Sequence, residues 1–164
     1  MPEDGGSWRC GGDRAIRTVH SMTITPVQQS PNTALVERLA AGLNRSFETC
    51  EDPDEIFSPD VFLDLYPPFW RFQLQGRDAI QAQMRMLSEG CEVVSRILRV
   101  VPTADGFLME HEETSRGEHT EVARKLWVCV VRDGQIVEGT CYCNGGWDDE
   151  LRARHATEAP MLRP

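Results

Sequence analysis

An α+β domain is predicted by three features of this 164-residue chain. Apolar residues recur at helical spacing in the first half, the period changes to two from Glu92 onward, and Asp105-Gly106 and Asp133-Gly134 punctuate the second half as hairpin turns do. Helices that precede such a meander of strands must cover one face of a curved sheet. The length suits a single domain, assigned to 32–156, with tails at 1–31 and 157–164.

Residues 1–31 are rich in Gly, Ser, Thr and Pro, keep no period and read as a disordered tail, within which Met22 is a second candidate start. Asn32 or Thr33 is placed to cap a first helix over 34–50, whose buried face carries Leu35, Leu39, Leu43 and Phe47. Asp52-Pro53 has the chemistry of a helix start and predicts a short second helix over 52–57, closed by Ser58-Pro59-Asp60. A strand over 61–66 follows, with Val61, Leu63 and Leu65 on one face and Phe62, Asp64 and Tyr66 on the other. Pro67-Pro68 breaks it, and the aromatic stretch 69–75 reads as irregular. Gly76 precedes a third helix over 77–88 that buries Ile80, Met84 and Leu87 and ends at Gly90. Four strands are then predicted over 92–103, 106–115, 118–132 and 135–144, and a short helix over 148–155 closes the domain.

Composition narrows the function. The net charge of −9 and the absence of a basic cluster argue against a nucleic-acid partner, and the longest apolar run, 126–131, is too short to cross a membrane. The six cysteines include no CxxC pair and no secretory signal precedes them, so they read as reduced thiols of a cytoplasmic protein. His111, His119 and His155 hold no ligand spacing with Cys141 and Cys143, so no metal site is assigned. The strand over 118–132 is apolar on both faces between Leu126 and Val131, and the face turned from the helices calls for cover, which a homodimer supplies.

The order of elements resembles the nuclear transport factor 2-like superfamily, in particular its SnoaL-like branch. The residues that carry the resemblance are Phe57-Ser58-Pro59-Asp60-Val61, Gly76-Arg77-Asp78-Ala79-Ile80 and Val131-Arg132-Asp133-Gly134-Gln135-Ile136-Val137-Glu138, within a match over 32–156. The resemblance implies a cone-shaped half-barrel, three N-terminal helices packed on a curved, mainly antiparallel sheet, enclosing one deep pocket. Members use that pocket as isomerases, dehydratases, cyclases, epoxide hydrolases or ligand sites, so the fold does not choose the chemistry.

A hairpin centred on Gly117 and Glu118 pairs residues whose numbers sum to about 236: Met109 with Trp127, His111 with Lys125, Glu113 with Ala123. By analogy with the family, the face bearing Trp127, Cys129 and Cys141 points into the pocket. Phe107, Met109, Trp127, Cys129 and Cys141 then form an apolar wall that holds His111, Glu113 and Lys125, the form of a general acid/base site. The competing interpretation is a solvated charge ladder. Asp64 lies at the expected mouth as a second proton carrier, although direct carry-over from steroid isomerases points closer to Leu65 and Trp127. Tyr66 and Trp70, with Phe69 and Phe72, form an aromatic cluster beside that mouth, either a lid over a flat ligand or a plug under a loop.

The reading is a pocket protein for a hydrophobic small molecule, and, if an enzyme, one doing cofactor-independent isomerisation, dehydration or cyclisation. His111 or Asp64 would carry the proton, Glu113 orient His111 and Lys125 stabilise an oxyanion. A non-catalytic binding or dimerisation module is the alternative. Much of the acidic excess falls at Glu110, Glu112, Glu113, Glu118 and Glu121, around the hairpin that also holds the only lysine.

Overall fold

A computed structural model describes residues 33–159. The 1–31 tail with Met22, the Asn32 cap, Cys10 and residues 160–164 lie outside the described residues. Helix α1 (Thr33–Thr49) buries Leu39, Leu43 and Phe47 of the predicted stripe together with Val36 and Ala40, while Leu35 is half-buried against the core. It ends at Cys50, whose φ of 58° leaves the helical region.

The short helix expected over 52–57 is a turn. Glu55 N–H donates to Asp52 O at 3.2 Å, and the Asp52 carboxylate accepts from the N–H groups of Ile56 at 2.8 Å and Phe57 at 3.3 Å. Asp followed by Pro suits the first two positions of a β-turn as well as a helix start. The turn wins because Ile56 O accepts from Ile136 N–H at 2.7 Å, which commits the backbone to the sheet. Gly42 of α1 belongs to the same junction, since a Cβ there would overlap Ile56.

Strand β1 (Phe57–Tyr66) therefore starts earlier than expected and contains Pro59. Its pairing shifts between Phe57 and Phe62, so the missing proline N–H falls where the ladder is interrupted. The stretch expected to be irregular includes β2 (Phe72–Gln75), antiparallel to β1, with Phe72 and Leu74 alternating with exposed Gln73 and Gln75. Helix α2 (Arg77–Leu87) follows, buried through Ile80.

The meander is β3 (Glu92–Pro102), β4 (Gly106–Arg116), β5 (Thr120–Arg132) and β6 (Gln135–Cys143), and helix α3 (Asp149–Glu158) ends the domain. One open sheet results, in the order β2-β1-β6-β5-β4-β3, mixed because β1 and β6 run parallel. Among the described residues two helices precede the meander and a third follows it, correcting the expectation of a short helix over 52–57 between them. The β5–β6 turn has Asp133 at φ 52° and Gly134 at φ 79°, the two positive φ angles that a two-residue hairpin loop requires.

The β4–β5 register matches the predicted pairing: Met109 faces Trp127, His111 faces Lys125 and Glu113 faces Ala123. Across the next ladder Trp127 faces Cys141 and Lys125 faces Cys143. Phe107, Met109, His111, Trp127, Cys129 and Cys141 are buried on the inner face, while Leu126, Val128 and Tyr142 are exposed on the outer one. Among the described residues no helix is long and apolar enough to cross a membrane.

Candidate functional site

A cavity of about 410 Å³ opens on the inner face of the sheet. Leu63, Leu65, Phe72 and Leu74 of β1 and β2 form one wall, and Met84 and Leu87 of α2 another. Trp127, Cys141 and Cys143 of β5 and β6 line the sheet side, and Phe47 from the end of α1 faces the same space. Gly139 makes room for Leu63: a Cβ there would stand 2.8 Å from Leu63 Cδ2, while the indole of Trp127 would lie at an ordinary contact distance of 3.6 Å. The lining is mainly apolar, as small-molecule sites usually are.

Against this wall stands one ion pair. Lys125 Nζ donates to Glu113 Oε2 at 2.7 Å, with side chains only 19% and 16% exposed. Glu113 pairs with Ala123 on the neighbouring strand, two residues from Lys125, so the contact is a diagonal across the same face. Lys125 Nζ also lies 5.7 Å from the centroid of the Phe47 ring. Such a pair is costlier to desolvate than a surface bridge, and nearby acceptors or charges on a ligand weigh more on it than they would in water.

His111 does not line the cavity. It is fully buried beneath Trp127 and Phe47, its ring stacked on Phe47 at 4.7 Å between centroids. Its two ring nitrogens are both occupied: Trp127 Nε1–H donates to Nε2 at 3.2 Å, and Ser95 Oγ lies 2.9 Å from Nδ1. An indole N–H only donates, so Nε2 accepts and the proton sits on Nδ1, donating to Ser95. Ser95 in turn donates to Asn44 Oδ1 at 2.8 Å, while Asn44 Nδ2 donates to Ser95 O at 3.2 Å and Ser95 N–H donates to Glu48 Oε1 at 2.9 Å. Burial, helped by the Lys125 charge, pushes the imidazole down to about 3. The expected proton carrier is thus a neutral link that ties α1, β3, β4 and β5 together, and Glu113 bonds Lys125 rather than orienting it.

Asp64 is turned away as well. Strand alternation places it on the face opposite Leu63 and Leu65, where it accepts from Arg71 Nε at 2.9 Å and from Tyr66 Oη at 3.1 Å. Arg71 holds its carboxyl below the ordinary value. Tyr66 stands at the cavity's edge with its ring stacked on Tyr142 at 5.1 Å. Trp70 does not line the cavity: it is 72% exposed on the turn after Pro67, whose carbonyl accepts its N–H. Phe107, Met109 and Cys129 also lie outside the lining, buried in the core, and burial pushes the Cys129 thiol well up. Cys141 does line the cavity, its thiol pushed up to about 12 by burial.

The predicted set thus divides. Glu113, Lys125, Trp127, Cys141 and Tyr66 meet at the cavity; His111, Asp64, Trp70, Phe107, Met109 and Cys129 do not. Sequence reasoning missed Phe47 and Ser95 as partners of the site. Phe47 is one more member of an apolar helix stripe in the sequence, whereas Ser95 is a polar residue at an inward strand position, a signal available once β3 and β4 are aligned.

The architecture defines the fold as nuclear transport factor 2-like, an α+β domain with three helices and a six-stranded mixed sheet among the described residues. Solved structures bear this out. A SnoaL-like polyketide cyclase candidate from Jannaschia sp. CCS1 matches at a TM-score of 0.57 and 15% identity, over 92% of this chain and 100% of that one. An LEH-like epoxide hydrolase of M. tuberculosis matches at 0.55 and 18% identity, over 80% and 100%. An NTF2-like protein from Burkholderia xenovorans LB400 matches at 0.56 and 15%, over 69% and 92%. No family model and no curated protein matches the chain.

Proposed function

We propose that the chain binds an apolar small molecule bearing a carbonyl group in this cavity and moves a proton on it through Glu113 and Lys125, without a cofactor. The observation that carries the reading is the ion pair set into an otherwise mainly apolar wall. Lys125 spends one N–H on Glu113, which leaves further ammonium donors for a ligand oxygen as charge develops there. The Glu113 carboxylate beside it is the base that takes a proton from the carbon next to the carbonyl. Trp127 and Phe47 supply flat apolar contact, and the neutral chain from Asn44 to Trp127 holds the indole in place. That structural neighbours include an epoxide hydrolase and a polyketide cyclase candidate supports pocket chemistry of this broad kind.

The test is proton exchange in heavy water. Hydrophobic aromatic ketones and steroids that raise the thermal midpoint are followed by NMR for exchange of the α-hydrogen, with Glu113→Gln and Lys125→Met alongside. A ligand at about a hundred times its Kd stabilises the fold by about 2.7 kcal/mol. Exchange that depends on Glu113 supports the reading; ligands that bind yet exchange no faster than in buffer leave a binding module. A second copy of the chain on the outer face is proposed from Leu126, Val128 and Tyr142, each more than a third exposed there.

A further inference from the structure

The chain carries sixteen arginines and one lysine, and that lysine is the cation facing the cavity. Elsewhere in the described residues, ion pairs are made by arginine: Arg45 with Asp54, Arg71 with Asp64, Arg96 with Glu112, Arg99 with Glu110. The two side chains differ in one chemical respect that matters here. A guanidinium stays protonated at any working pH and is a poor nucleophile, whereas a primary amine can release its proton and attack a carbonyl carbon.

The geometry supplies what such a step needs. The Glu113 carboxylate sits 2.7 Å from Nζ, within reach to accept the ammonium proton. Phe47 on one side and Trp127 two residues along β5 shield the amine with apolar surface, and the cavity in front is large enough for a two-ring molecule.

We propose that Lys125 forms a protonated imine with an apolar aldehyde or ketone, an inference that rests on the carbonyl-binding reading above. The carbonyl compound and the Lys125 ammonium give the protonated imine and one water. Glu113 accepts a proton from Nζ, the freed lone pair forms the C–N bond as the carbonyl π bond breaks, and a second proton passes from the nitrogen to the carbonyl oxygen, which becomes a hydroxyl. Glu113 returns the proton to that hydroxyl, which leaves as water as the C=N bond forms, and no oxidant or reductant takes part. The carboxylate then faces the iminium charge in place of the ammonium.

With a single lysine, the chain reports on itself. The folded full-length protein is incubated with 2-naphthaldehyde and sodium cyanoborohydride, which traps an imine as a stable amine, and the adduct is located by peptide mapping. Labelling at Lys125 is expected at least about tenfold faster than at the α-amino group, a preference that disappears in the urea-unfolded chain. Lys125→Arg abolishes it, and Glu113→Gln slows it by roughly a hundredfold. Labelling confined to the α-amino group, or equal in folded and unfolded chains, overturns the proposal. 2-Naphthamide, a carbonyl compound that forms no imine, separates the two readings. If it shifts the thermal midpoint while Lys125 stays unlabelled, only the imine falls; if neither binding nor labelling occurs, the carbonyl-binding reading falls with it.

Discussion

Acidification below about pH 6.5 should weaken the fold, and His111 is the reason. In the folded chain the imidazole is held down to about 3 against an ordinary 6.5, because the ring is fully buried and the Lys125 charge opposes its protonation. The unfolded chain binds a proton from about pH 6.5 downward, while the folded one resists until about pH 3. The stabilisation is therefore complete above the unfolded value and is lost as pH falls toward the folded one. Across that window each pH unit costs about 1.4 kcal/mol, so the fall from pH 7.5 to pH 5 removes about 2 kcal/mol. Urea unfolding at fixed protein concentration reads this as a lower midpoint at unchanged slope. His111→Asn removes the titrating group and should flatten the profile over that range. Should the variant not fold, 15N shifts of the wild-type ring give the same answer, since they must stay those of a neutral Nδ1–H tautomer at pH 5. A pH profile shared by wild type and variant, or a ring that titrates near 6.5 in the folded state, refutes the reasoning.

Other outcomes follow from single contacts. Trp127→Phe keeps the aromatic volume but deprives His111 Nε2 of its donor, and should lower stability by about 1–3 kcal/mol in denaturant titration. Gly42→Ala would gain up to about 1 kcal/mol in an open helix, yet here the new methyl meets Ile56, so a net loss of about 1–3 kcal/mol is expected. Leu126→Glu puts a charge on the exposed outer face, and sedimentation should then show a shift toward monomer if a second copy covers that face. An unchanged sedimentation profile counts against that interface.

Much of the fold was legible because its signals are local. The α1 stripe, the Asp133-Gly134 turn and the pairing of His111 with Lys125 follow from spacing alone. Where local chemistry fits two structures, the wider sheet decides: Asp52-Pro53 starts a helix or a turn equally well, and hydrogen bonding to Ile136 selects the turn. β2 was hidden for a related reason, since its alternation spans only four residues beside a proline turn and gains its partner from β1. The site was legible in direction but not in depth. Strand alternation says that His111, Glu113 and Lys125 share a face, and it cannot say that α1 closes over the first while leaving the other two beside open space.

That difference in depth separates the two polar groups physically. Beneath Phe47 and Trp127 His111 is fully buried, and the hydrogen-bonded links from Asn44 through Ser95 and His111 to Trp127 are all neutral groups. This is what a low-dielectric interior tolerates. Two residues along β4, where the cavity begins, the same face holds Glu113 and Lys125 ionised against each other. Charging His111 would place a second cation near Lys125, so the lysine charge helps keep the histidine neutral. The network and the pair therefore divide the labour: the buried chain fixes the Trp127 ring, and the pair at the cavity is where a proton has both a donor and an acceptor.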